Sequence, residues 1–151
     1  MSDARIGGVR AGESGINALA ATGHGVAIAA ITGDQYVGPE AEPFCPGVRA
    51  IVVKQSLGRE SAESLHPDVS RQVIRDGVAS ALGKPGELRP PPVLGELEVG
   101  VLTTDMAILA ARVRGVERTR ERTVTIAAAD PLDAYRSFTA AIAITRNLST
   151  S

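Results

Sequence analysis

A chain of 151 residues is the size of one ordinary domain. It can bury roughly 70% of the surface its unfolded form exposes, so neither a metal nor a disulfide is needed merely to fold. Hydrophobic residues make up 44% and charged residues 22%, and sixteen basic against seventeen acidic side chains leave a net charge of −1. This excludes a disordered chain, and it lacks the basic excess that a dedicated nucleic-acid or anionic-membrane binder needs.

Taken in chain order, the first signal is a helix from Glu13 to Thr22, with Ile16, Leu19 and Ala20 at helical spacing and Gly23 as its stop. Val26 to Ile31 is continuously apolar, the pattern of a central strand covered on both faces. Thr32-Gly33-Asp34 turns the chain and a short helix around Glu40 follows. Arg49 to Lys54 reads as a second apolar strand, and Ser61 to Leu65 as a short helical turn. The best helix of this half starts at His66-Pro67 and ends at Gly83, with Val69, Val73, Ile74, Val78, Ala81 and Leu82 along one face.

The stretch Gly83 to Pro92 contains three consecutive prolines, which favour an extended conformation and stop regular structure. Beyond it, Leu97, Val99 and Val101 alternate with Glu96, Glu98 and Gly100, the pattern of a strand with one wet face. A helix from Thr104 to Arg112 and a strand from Thr123 to Ala128 follow. Asp130 caps the last helix, Pro131 takes its first turn, and Leu132, Tyr135, Phe138 and Ile142 form its stripe. The alternation predicts an α/β fold: a layered mixed sheet with flanking helices, in two sub-lobes (residues 1–88 and 92–151) joined by the Pro-rich link.

Chemistry-bearing residues are few. Cys45 is the single cysteine, sits between Phe44 and Pro46 without a basic neighbour, and reads as inert. With no disulfide framework, no signal core and no apolar run near the roughly 20 residues that span a bilayer, the expected setting is the cytoplasm. His24, in a Gly-His-Gly turn, and His66, at a helix start, lack the i, i+4 spacing of a helical metal pair and read as structural or exposed. Ser14 reads as a helix-start residue. The basic cluster Arg112, Arg114, Arg118, Arg120 and Arg122 is broken by Glu117 and Glu121 and has no aromatic neighbours, so it reads as a solvated connection. Glu13 lies in a first helical turn, where the backbone dipole favours the ionised carboxylate that a metal requires. The same charge also serves plain helix stabilisation. Lys54 and Arg59, near predicted strand ends, are candidates for holding an anion.

Gly12-Glu13-Ser14-Gly15-Ile16-Asn17-Ala18 resembles the Gly-Glu-x-Gly-x-Asn-Ala segment of the zinc-dependent bacterial D-aminopeptidases. In the same order, Val26 to Asp34, Val52 to Arg59, Leu65-His66-Pro67 and Asp130 to Tyr135 are similar to further segments of that family. The resemblance implies a metallopeptidase that removes N-terminal D-residues from short peptides with zinc as cofactor, and a homo-oligomer. It carries over Glu13 alone, as a zinc ligand. The family's Asp-x-Glu pair, its ligand histidines and its catalytic histidine would all precede residue 1, so no catalytic residue is carried over. The expectation is therefore a D-aminopeptidase-like chain inactive by itself. The alternatives are a non-catalytic oligomerisation or interaction domain, and a small-ligand domain using Lys54 and Arg59.

Overall fold

Two adjacent glycines open the fold. Gly7 and Gly8 have φ of 56° and 83°, the left-handed pair that a two-residue hairpin turn requires. They fold β1 (Asp3–Ile6) back onto β2 (Val9–Arg10), with Ile6 opposite Val9. The structure is a computed structural model describing residues 2–58, 60–84, 95–127, 129–146 and 148. On its other side β1 pairs antiparallel with β7 (Leu97–Gly100), β7 with β9 (Thr123–Ile126), and β9 with β8 (Val116–Arg120). The result is a five-stranded antiparallel sheet in the order β2-β1-β7-β9-β8, built from strands on both sides of the Pro-rich stretch.

One face of this sheet makes the core. Ala4, Ile6, Leu97, Val99, Val124 and Ile126 are buried, while their alternates Arg5, Glu98, Thr123 and Thr125 face outward or are half-buried. Pleating sends successive side chains to opposite faces, so the alternation sorts them without exception here. The outer face carries the Arg120–Glu98 ion pair at 3.2 Å and a Thr119–Thr125 hydroxyl contact at 3.1 Å. Helices α4 (Thr104–Ala110) and α5 (Pro131–Thr145) pack on β8 and β9, and α1 (Glu13–Gly23) lies along α5. Thr103 and Asp130 cap α4 and α5 by accepting from the backbone N–H of Met106 (3.2 Å) and Leu132 (2.8 Å).

A second unit is a parallel βαβ. β3 (Ala30–Gly33) runs beside β4 (Arg49–Val52), with α2 (Val37–Ala41) as the crossover. α2 lies on one face, where a Cβ on Gly38 would stand 2.9 Å from Ala50 Cβ. α3 (Pro67–Leu82) lies on the other, where a Cβ on Gly77 would meet Ile51 Cδ1 at 2.6 Å. Between them β5 (Lys54–Gly58) and β6 (Ser61–Ser64) form an antiparallel hairpin. The Gln35 side-chain amide ties it down, donating to Ser56 O (3.0 Å) and accepting from Ser56 N (2.8 Å) as a neighbouring strand would. No helix among the described residues is long and apolar enough to cross a membrane.

The α/β class and the helices at 13–23, 67–82 and 131–145 agree with the sequence reading. Parallel and antiparallel pairings are divided between separate sheets. Several expectations are corrected. The strand expected over Val26 to Ile31 is regular only from Ala30, Val26 is 56% exposed, and among the described residues β3 pairs with β4 alone. Ser61 to Ser64 is a strand rather than a helical turn, since its backbone groups pair across the hairpin to β5. The arginine-rich stretch is not a plain connection: Val116–Arg120 is an edge strand anchored by buried Val116. No residue of α3 is buried, although its apolar stripe predicts an inward face. On α5 the fully buried residues are Ala134, Ala141 and Thr145, with Tyr135 and Phe138 half-buried against the same core. The prolines at 90–92 lie outside the described residues.

Candidate functional site

The head of α1 is shaped by two glycines. Gly12 is its N-cap residue and has no side chain to cap with, so the carbonyl of Gly12 simply accepts the first helical bond from Ile16 N at 3.1 Å. A Cβ at residue 12 would stand 1.6 Å from Glu40 Oε1, so the carboxylate of Glu40 occupies the space a side chain would take. At Gly15 a Cβ would meet both Ala11 Cβ and Phe44 Cδ2 at 2.9 Å. The second glycine thus lets the first turn of α1 pack on the buried ring of Phe44.

This packing fixes which way the helix faces. Gly15, Ile16, Ala18 and Leu19 turn inward, and Glu13 and Asn17, one turn apart on the same face, are exposed. Ser14 lies between, and its Oγ is buried without a hydrogen-bond partner. A cleft of about 510 Å³ opens beside the helix start, lined by Ser2, Asp3, Ala4, Arg10, Ala11, Gly12 and Glu40. Within it Arg10 pairs with Asp3 at 3.4 Å. Glu40 is the group the sequence reading missed. Its only sequence signal was an acid in a short helix, and its approach to Gly12 depends on the α1–α2 packing.

The histidines stand elsewhere. His24 follows the last turn of α1, about 16 Å along the helix from Glu13, and is exposed. His66 caps α3, its Nδ1 accepting from Asp68 N at 3.3 Å. Among the described residues no group of three or more His, Cys, Asp or Glu side chains is placed to hold a metal ion. Catalytic zinc takes three protein ligands and keeps an open position, so the described residues do not by themselves fit a zinc site. Lys54 begins β5, exposed and opposite Ser64. Arg59 lies outside the described residues. Cys45 is 2% exposed in the core, and burial, followed by the charge of Glu42, raises its thiol pKa above the usual range.

The architecture defines a layered α/β protein with a carboxylate presented at a glycine-framed helix start. Among solved structures it is similar to the Zn-dependent D-aminopeptidase DppA from Bacillus subtilis, described as a self-compartmentalizing protease. The TM-score is 0.84 at 26% identity, covering 95% of this chain and 54% of that one. Residues 1–140 match the M55 peptidase family, described as D-aminopeptidase, and the chain belongs to this family. A D-aminopeptidase of Bacillus subtilis (strain 168) is 30% identical over 148 residues, or 91% of this chain and 54% of the relative. The chain therefore spans about half the length of the relatives it matches.

Proposed function

We propose that this chain forms one wall of a zinc-dependent D-aminopeptidase site that hydrolyses N-terminal D-residues from short peptides. In this reading Glu13 is the one zinc ligand it contributes, and the other ligands come from polypeptide outside the described residues. The supporting observation is the placement of Glu13. It is exposed at the positive end of α1, on a helix start whose two glycines make room for Glu40 and Phe44. Alone the chain is inactive, because one carboxylate does not hold a catalytic zinc. Lys54 and Arg59 are assigned the substrate's carboxylate. The chain acts in the cytoplasm, in keeping with its one unpaired, buried cysteine, and assembles with copies of itself, as the term self-compartmentalizing says of its structural relative.

The test measures zinc content after dialysis together with hydrolysis of D-alanine amide. It uses the purified chain, and the chain co-expressed with the segment of the Bacillus subtilis D-aminopeptidase outside the match. Substoichiometric zinc and no hydrolysis are expected for the chain alone, and both zinc and hydrolysis for the pair. Stoichiometric zinc in the chain alone, or hydrolysis unchanged by Glu13→Gln in the pair, overturns the reading.

A further inference from the structure

The β5–β6 hairpin is an arm that stands apart from the parallel pair. At Val53, whose N donates to Gly33 O (2.9 Å), the chain leaves β3 and β4, and at Lys54 it enters a separate two-stranded sheet. Of the described residues in 54–64 only Ser56 is partly covered, and the others are exposed. A lone two-stranded hairpin is marginally stable in water, and one joined to the body at its base alone is free to pivot there.

One side chain holds the arm. Leu65 N donates to Val53 O (3.0 Å) at the base, and in an antiparallel ladder every second residue bonds to the same neighbour. The backbone groups of Gln55 therefore face β6, and those of Ser56 face away from it. Gln35 meets both of the latter, its Nε2 donating to Ser56 O (3.0 Å) and its Oε1 accepting from Ser56 N (2.8 Å). Among the described residues this is the arm's one hydrogen-bonded link to the body beyond its base. The amide is itself held in place. Asp34 Oδ1 accepts from Tyr36 N (3.0 Å) and Asp34 O from Val37 N (3.3 Å), a turn that fixes the backbone around Gln35 directly after β3.

Lys54 is the first residue past the pivot. It lies on the same face of β5 as Ser56 and opposite Ser64 of β6, in a non-hydrogen-bonded pair, the kind that brings side chains closest. Its ammonium has no ion-pair partner among the described residues. Gln35 and Lys54 both follow the carboxyl ends of the parallel strands, where open α/β sheets bind ligands. From the same end α2 leads to Glu40 and the head of α1.

We propose that Gln35 is a positioning residue for substrate recognition. By standing in for a third strand it locks the arm at one angle, so that Lys54, with the Ser64 hydroxyl beside it, meets the C-terminal carboxylate of a short peptide. The assignment rests on the role proposed above for Lys54 and adds the group that fixes where its ammonium points. A peptide with a free carboxylate gains a charge-assisted contact that its C-terminal amide lacks, so the latched arm sorts substrates by terminal charge.

Two measurements test it. Amide hydrogen exchange in the purified chain reads the latch: the Ser56 amide is slow, and Gln35→Ala speeds it at least tenfold while the Ile51 amide of β4 keeps its rate. Selectivity reads the consequence, in the chain co-expressed with the unmatched segment of the Bacillus subtilis D-aminopeptidase, with D-alanyl-glycine and D-alanyl-glycinamide as paired substrates. Gln35→Ala and Lys54→Met each lower the acid-to-amide ratio of kcat/KM at least fivefold, through KM of the acid, and the double variant goes no lower than Lys54→Met. A merely structural loss lowers both substrates together and leaves the ratio where it was. An unchanged ratio in either variant, a further fall in the double variant, or a Ser56 amide as fast in the unaltered chain as in Gln35→Ala overturns the proposal while D-residue hydrolysis stands. No hydrolysis of either substrate by the unaltered pair instead overturns the proposed activity, and this role of Gln35 with it.

Discussion

The carboxylate of Glu40 rests against the bare Cα of Gly12, where a Cβ would stand 1.6 Å from Oε1. This links α2 to the start of α1 and puts a second acid beside the helix turn that presents Glu13. The clashing atom is the end of a flexible side chain, so Gly12→Ala turns Glu40 away at little cost to folding. In the co-expressed pair, Gly12→Ala is expected to lower D-alanine amide hydrolysis at least tenfold while shifting the melting temperature by no more than a few degrees. Unchanged hydrolysis would show that Glu40 has no part in the site.

Glu13 is exposed in the first turn of α1 and Gln has nearly the same shape, so Glu13→Gln is expected to change stability by less than about 0.5 kcal/mol. In the co-expressed pair the same substitution reduces retained zinc at least tenfold. Calorimetric unfolding and elemental analysis on one preparation separate the two effects.

Gly15 is tighter. Its neighbours are the Phe44 ring and the Ala11 methyl, both held in the core, and neither can swing away as Glu40 can. Gly15→Ala gains helix propensity of about 1 kcal/mol but overpacks the contact, which costs about 1–3 kcal/mol. Net destabilisation is expected, smaller than the roughly 3–5 kcal/mol cost of the cavity left by Phe44→Ala. Urea melts of both variants check the order.

The hydroxyl of Ser14 is buried without a partner, a state that costs stability. Ser14→Ala removes the orphan and improves helix propensity, so a gain of about 0.5–1 kcal/mol is expected in the isolated chain. A loss of stability in the same melts would mean that the hydroxyl is satisfied in solution.

Cys45 gives a pH signature. Burial and Glu42 hold its thiol pKa above its unfolded value, so the native state keeps a proton that the unfolded state gives up. Its contribution is complete below the ordinary thiol pKa of about 8.5 and is lost as the pH rises from there toward the raised native value. Stability should therefore fall faster above about pH 8.5 in the wild-type chain than in Cys45→Ala, read as urea midpoints against pH.

Much was legible in the sequence because its cause is local. Pro67 and Pro131 at first helical turns, the Asp130 cap, and the strict alternation of Leu97 and Val99 with Glu98 each act within a few residues, and the structure keeps all of them. The glycine-framed Glu13 was legible as a motif for the same reason. Tertiary structure alone decided what depends on partners distant in the chain. Ser61–Ser64 became a strand because β5 folds back on it, and Val116–Arg120 became an edge strand because β9 turns beside it. The apolar run from Val26 and the stripe of α3 carry the signature of buried elements, yet Val26 and Val69 stay about half exposed. Periodicity records how much of an element is meant to be covered. Only the assembled sheet shows how many strands are present to cover it.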